Sequence, residues 1–250
     1  MHEVCKNRIF IASINKLRYI ANTSFVVISK QGTVVVIDPF SVDPEINPDL
    51  IIVTHRHYDH YNENFINSRE CLKSIALTGS FTFRDVKVTG IAASHNGDTI
   101  DKENPDNVIY VIEIDGLRIA HFGDTGQSRL TQEQLDSIGT LDIAMMQFIN
   151  PNSGFTVSNK KGLEILRQVD PSIVLPTHAF GIRNAHIGKK WFILPTHGVG
   201  KTLRSLEREW APVIKKDYLS IDDPVFEEKH SVIWFGKTVG WKEIISERNC

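Results

Sequence analysis

Along the first half of this chain the apolar residues fall into short continuous runs of strand length. Ser24–Ser29 and Thr33–Ile37 flank the turn Lys30-Gln31-Gly32, which predicts a β-hairpin over 24–38. Residues 50–54 give the next strand, and a helix is expected over 62–72. Strands follow at 74–77 and 86–93. Val108–Ile114 and Leu117–Phe122 predict a second hairpin, turning at Asp115-Gly116. Beyond residue 130 the pattern changes. Helices are expected at 131–138, opened by Thr131 and Gln134 as a capping box, and at 157–169. Strands are expected at 142–148 and 171–176. A hairpin-rich start followed by alternating helix and strand fits two mixed sheets covered by helices, an α/β fold.

Polar residues with metal-binding chemistry stand where these runs end. Asp38 follows Val34–Ile37, and His55 follows the strand at 50–54. His95, Asp124 and His178 close three later runs in the same way. Strand ends gathered at one sheet edge are where active sites assemble, so these five residues predict one shared site.

The densest chemistry is His55-Arg56-His57-Tyr58-Asp59-His60, which carries four metal-ligand side chains within six residues. Alternate residues of an extended segment point the same way, so His55 and His57 can share one ion. A turn after them directs Asp59 and His60 to a neighbouring ion. Imidazole nitrogens and carboxylate oxygens suit zinc, manganese or iron. The chemistry sorts His55, His57 and His95 to one metal, and Asp59, His60 and His178 to a second. Asp124 bridges both. Two such ions share a hydroxide made from water of lowered pKa, which attacks a carbonyl carbon or a phosphorus. Asp59 orients that hydroxide or accepts its proton. Asp38 and His121 are assigned to support the ligands from behind, because metal-bound histidines hand their other N–H to a carboxylate or carbonyl. His197 shares the Leu-Pro-Thr-His context of His178 and competes with it for the metal; His178 is preferred because it follows a helix-then-strand unit, which leaves His197 to line the substrate pocket or cap the following helix.

Bulk properties narrow the picture. A length of 250 residues suits a single domain, and a net charge of −2 demands neither nucleic acid nor a membrane surface. No apolar run reaches transmembrane length. Three scattered cysteines argue against a disulfide framework and for a reducing, cytoplasmic setting. The segment 183–216 holds eight Lys/Arg against two Glu, leaving it a pocket wall, an insertion or a solvated amphipathic helix. Gly198-Val199-Gly200-Lys201-Thr202 is not a phosphate loop, because Pro195 stands where that motif needs glycine.

His55-Arg56-His57-Tyr58-Asp59-His60 resembles the main metal motif of the metallo-β-lactamase superfamily. Ile37-Asp38-Pro39, Ser94-His95, His121-Phe122-Gly123-Asp124 and Pro176-Thr177-His178 resemble its other motifs, spanning 38–178. The resemblance implies a four-layer αββα sandwich with two divalent metals at one edge, zinc first, with manganese or iron as alternatives. Residues 107–126 and 130–139 look most like the ascorbate-6-phosphate lactonase-like branch. That branch implies hydrolysis of a small anionic lactone, ester or phosphoester. Ile149–Gly154 departs from the branch, which usually carries a Pro-x-Gly-Gly-like turn there. Three other readings stand beside hydrolysis: iron-dependent oxygen chemistry like that of a sulfur dioxygenase, a nuclease using the basic segment, and a metal scaffold without catalysis.

Overall fold

The computed structural model describes residues 10–13, 23–40, 42–148, 150, 160–178, 185–187, 190–192, 199–220, 222–235 and 242. In chain order the elements begin β1 (Phe10–Ser13), β2 (Phe25–Ile28), β3 (Val34–Ile37), β4 (Leu50–Val53), α1 (Glu63–Asn67) and β5 (Leu72–Ile75). Then come β6 (Gly79–Phe83), β7 (Val86–Ala93), β8 (Asn107–Ile114), β9 (Leu117–His121), α2 (Gln132–Ile138) and β10 (Ile143–Gln147). The last are α3 (Lys160–Val169), β11 (Ile173–Thr177), β12 (Ala185–Ile187), β13 (Lys190–Phe192), α4 (Val199–Glu209), β14 (Val213–Lys216), β15 (Leu219–Ser220) and β16 (Ser231–Phe235).

Six strands form one sheet in the order β15-β1-β2-β3-β4-β5, and eight form the other in the order β14-β16-β11-β10-β9-β8-β7-β6. Both sheets are mixed. β3, β4 and β5 run parallel, and so do β9, β10, β11, β16 and β14, while the hairpin strands are antiparallel. The αββα four-layer sandwich is therefore the observed fold.

Period-2 alternation decides which side chains fill which layer. Val35, Ile37, Leu50 and Ile52 point between the sheets, where they join Val86, Val88, Val108, Ile112, Met145 and Leu175 from the opposite sheet. Their neighbours Val34, Val36, Ile51 and Val53 face outward and pack with Phe65 and Ile66 of α1. On the far side Ile109, Val111, Ala144 and Val174 pack against Leu163 and Leu166 of α3 and Leu206 of α4. These strands are buried on both faces, so they read as unbroken apolar runs.

α4 lies within the locally basic segment. Leu206 is buried and Leu203 and Trp210 pack on the outer face of the larger sheet, while Lys201, Arg204 and Arg208 are exposed. For the described part of that segment, the amphipathic-helix reading fits. Tyr110 ties the two sheets together. Its hydroxyl lies 2.9 Å from Ser74 Oγ and accepts from the Leu77 N–H at 2.9 Å. Beside it a Cβ on Gly90 would meet the Leu77 carbonyl oxygen at 2.0 Å, so only glycine permits this approach of backbone to backbone.

The expected helix over 62–72 is shorter than its sequence pattern. Asn62 caps it by accepting from the Phe65 N–H, and it ends at Asn67. Leu72 then pairs with Leu50 in β5, so sheet pairing takes the residues that a longer helix would need. The expected capping box is complete, with Thr131 and Gln134 each bonding the other's backbone. Asp115 and Gly116 both adopt positive φ, 52° and 84°, as a tight hairpin turn requires.

Candidate metal centre

Parallel strands of both sheets deliver their carboxyl ends to one edge, and the polar residues that follow them meet there. β4 leads to Thr54 and His55, and a turn with His60 N–H and Tyr61 N–H bonded to the His57 carbonyl brings Asp59 and His60 back toward it. β7 leads to His95, β9 to Asp124 and β11 to His178. The donors fall into two groups, His55, His57, His95 and Asp124 in one, and Asp59, His60 and His178 in the other. Each group could hold a metal ion. All are buried except His57.

Asp124 lies between the groups. Its Oδ1 is 3.1 Å from both His60 Nε2 and His178 Nε2. Its Oδ2 is 3.2 Å from His95 Nε2 and 3.8 Å from His55 Nε2. His178 Nε2 also lies 3.4 Å from Asp59 Oδ2. A tetrahedral ion with donors about 2.0–2.1 Å away would separate those donors by roughly 3.3–3.4 Å, so the spacing fits coordination.

Tautomers sharpen the fit. Asp38 accepts from the Thr54 N–H at 2.7 Å and from the Thr54 hydroxyl at 2.8 Å, and His60 Nδ1 sits 2.6 Å from its other lone pairs. His60 therefore donates from Nδ1. Because the Thr54 hydrogen is committed to Asp38, His55 Nδ1, 3.0 Å from Thr54 Oγ1, is the donor of that pair. Nε2 of each ring then faces the Asp124 carboxylate, on neutral His55 with a bare lone pair and on His60 with a proton whose place a metal ion would take. Lone pair against carboxylate is repulsive unless a cation stands between them. His55 Nε2 and His95 Nε2 are buried and make no hydrogen bond among the described residues. Unpaired buried nitrogens of this kind are what a metal site offers.

Electrostatics agree. Burial opposes charge on His60, yet Asp38 and Asp124 outweigh it and raise the imidazole well above its ordinary range. Burial, then positive His60, drives His55 down to about 2 against the pull of Asp124. Burial likewise opposes the charge of Asp124, but His178 and His60 hold its carboxyl well below the usual range. This edge thus favours positive charge between its carboxylates and keeps adjacent imidazoles neutral.

The backbone is strained where it aims these groups. Asp38 and His178 adopt φ of 46° and 49°, a left-handed region that costs such residues roughly 1–3 kcal/mol. Gly123 precedes Asp124 at φ 53°. His121 supports that turn. Its Nδ1 accepts from the Gly123 N–H at 3.0 Å, so its Nε2–H donates to the Thr23 carbonyl at 3.1 Å. Burial lowers its pKa, in keeping with a neutral ring. It stands 3.7 Å from Asp38 Oδ2. Asp98, close to His95 in sequence, is instead a loop clamp that accepts from the backbone and hydroxyl of Ser128, each at 2.6 Å. His197 lies outside the described residues.

Three supporting residues carry no sequence signal strong enough to single them out. Asn150 donates to Asp124 Oδ2 at 2.8 Å. Asn107 accepts from the Asp124 N–H at 3.0 Å and donates to the Phe122 carbonyl and Thr125 hydroxyl. Thr54 orients both Asp38 and His55. Asn107 and Asn150 do sit at strand ends beside ligand positions, which is the one clue available to sequence reading.

Replacing Asp38 with Asn is expected to weaken metal binding about 10–100-fold, because His60 loses the anion that fixes its Nδ1–H. Chelator competition measures this. Unchanged affinity would remove Asp38 from the support of the ligands.

The fold and paired His/Asp donor groups define a metallo-β-lactamase-fold, hydrolase-like enzyme with two candidate metal sites. The family profile for the Beta-lactamase superfamily domain matches residues 16–178, and the chain belongs to that family. It is similar to a UPF0173 metal-dependent hydrolase of Methanobrevibacter smithii, at 28% identity, with 65% of this chain and 81% of that protein covered. In structure it is similar to Igni18, a metallo hydrolase of Ignicoccus hospitalis, with TM-score 0.59 and 14% identity over 86% of this chain and 99% of that one. It also shares its fold with CmlA, a diiron β-hydroxylase of Streptomyces venezuelae, with TM-score 0.53 and 8% identity over 82% of this chain and 52% of that one. Among the described residues no helix is long and apolar enough to cross a membrane.

Proposed function

We propose that this protein hydrolyses a small, anionic lactone, ester or phosphoester with two divalent metals, zinc being the first expected. The observation that carries the reading is the position of Asp124, whose two oxygens face different donor groups. On this reading His55, His57 and His95 would hold one ion and Asp59, His60 and His178 the other, with Asp124 available to both. When bound, such a pair supplies a water of lowered pKa and polarises the scissile group.

The chain's own residues supply the rest. Asp38 keeps His60 turned by its Nδ1–H, and Thr54 does the same for His55. Asn150 steadies the Asp124 carboxylate. Asp59 is the group proposed to take a proton from the attacking water. Burial works against its charge, but the hydrogen bond from His178 and the charges of His60 and His178 together outweigh that and keep its carboxyl below the usual range, ionised and able to accept. His57 is exposed while its partners are buried, which puts the open side of the site at His57.

The name of the Methanobrevibacter relative supports hydrolysis, and the likeness of residues 107–126 and 130–139 to the ascorbate-6-phosphate lactonase-like branch supports a small anionic substrate. A fold shared with the β-hydroxylase CmlA means that the fold alone does not choose between hydrolysis and oxygen chemistry, so metal identity is the test. Elemental analysis of freshly purified protein is expected to give about two zinc or manganese per chain, and metal-loaded protein to open lactones or cleave phosphoesters. A single iron with oxygen uptake would replace hydrolysis by oxygen chemistry. Absence of metal after reconstitution would leave a scaffold.

A further inference from the structure

Tyr58 stands inside the metal motif, between His57 and Asp59, yet 68% of its surface is exposed. Among the described residues the other exposed large apolar side chains, Leu72 and Leu77, lie on or beside β5. Tyr58 is thus the large ring left open beside the donors. An aromatic ring with an apolar body and a polar tip suits a site whose ligand has an apolar part.

The ring is not loose. It packs edge-on against Phe40, with centroids 6.1 Å apart and planes at 83°. Phe40 is itself fixed. Its N–H bonds the Asp38 carbonyl at 2.8 Å and the Ser24 hydroxyl oxygen at 3.1 Å, and its carbonyl accepts from Asn62 at 2.8 Å. Asp38 and Asn62 bracket the metal motif in the fold, one behind His60 and the other capping α1. The strands and helix that aim the donors therefore also aim the Phe40–Tyr58 pair. His57, the exposed donor, immediately precedes Tyr58.

We propose that Tyr58, steadied by Phe40, forms an aromatic wall at the mouth of the metal centre and selects substrates whose acyl or phosphoryl group carries a flat apolar or aromatic substituent. This rests on the proposed hydrolytic site and adds the substrate's apolar half to its anionic half. A stacked ring contributes about three- to tenfold in affinity.

The test measures binding, so it does not depend on turnover. Full-length zinc-loaded protein is titrated calorimetrically with phenylacetate and with acetate, and bound zinc is measured for each variant. Wild type is expected to bind phenylacetate about three- to tenfold more tightly than acetate. Tyr58→Ala should bring that ratio near one, Tyr58→Phe should keep it, and Phe40→Ala, which leaves the metal motif intact in sequence, should reduce it. A wild-type ratio near one, or a ratio that survives Tyr58→Ala with zinc retained, would overturn the proposal. If the ratio behaves as expected but no ester, lactone or phosphoester is ever cleaved, the wall stands and the hydrolytic reading falls.

Discussion

Asp124→Ala is expected to lower hydrolysis about a thousandfold or more and to reduce bound metal from two ions per chain to one or none. Asp124 is proposed to touch both ions, so its loss removes a donor from each. It also removes the anion facing four imidazole nitrogens within 3.1–3.8 Å. Ion pairs of this kind contribute several kcal/mol to transition-state stabilisation, and each 1.36 kcal/mol is about tenfold in rate. Asp124→Asn separates position from charge. The amide keeps the side chain's size, and the main-chain bond to Asn107 is untouched, so the variant should fold like wild type while still losing metal. Elemental analysis beside a kinetic assay reads both quantities. Wild-type turnover in the alanine variant, at unchanged metal content, would sink the bridging assignment.

Gly123→Ala is expected to cost roughly 2–4 kcal/mol of stability, the sum of a left-handed backbone and an overpacked site. A Cβ there would stand 2.3 Å from Asn107 Oδ1, 2.7 Å from Thr54 Cβ and 2.8 Å from Thr54 Oγ1. Asn107 and Thr54 cannot both retreat cheaply. Asn107 holds the Asp124 N–H and the Phe122 carbonyl, and Thr54 holds Asp38 and His55. Thermal unfolding should therefore shift down by about 4–16 °C for a chain of this size. Because the displaced residues orient the donors, metal affinity should fall in the same variant. An unchanged melting temperature would show that the turn relaxes freely and that the close approach is not a constraint.

Much of the frame was legible in the sequence because local chemistry and burial agree there. Val34–Ile37 and Leu50–Val53 are apolar at every position, and strands buried on both faces must be. Asp115-Gly116 permits positive φ, so the hairpin turn was readable. Five strand-end residues pointed to one edge, and the fold brings all five to it. Other elements were hidden by weak local signals. β6, Gly-Ser-Phe-Thr-Phe, is a half-exposed edge strand with little apolar content, and it is held chiefly by pairing with β7. β16 is not among the expected strands, although it lies between β11 and β14 and joins them in the parallel part of the larger sheet. β1 and β15 pair with each other across more than 200 residues of sequence, and no local pattern records such pairing.

The same division runs through the metal centre. The sequence by itself determined the donor types, because histidine nitrogens and aspartate oxygens clustered at those spacings suit borderline divalent metals. It also determined which donors share a strand end, since spacing along one chain limits the directions of side chains. Tertiary structure decided what stands between and behind them. It placed Asp124 against four imidazoles from three other segments, committed the Thr54 hydroxyl to Asp38, and made His121 the brace of the Gly123 turn. It brought Asn107 to the Asp124 main-chain N–H and Asn150 to the Asp124 carboxylate. Those outcomes depend on hydrogen bonds between residues up to about a hundred positions apart, and their geometry exists only once both sheets have packed.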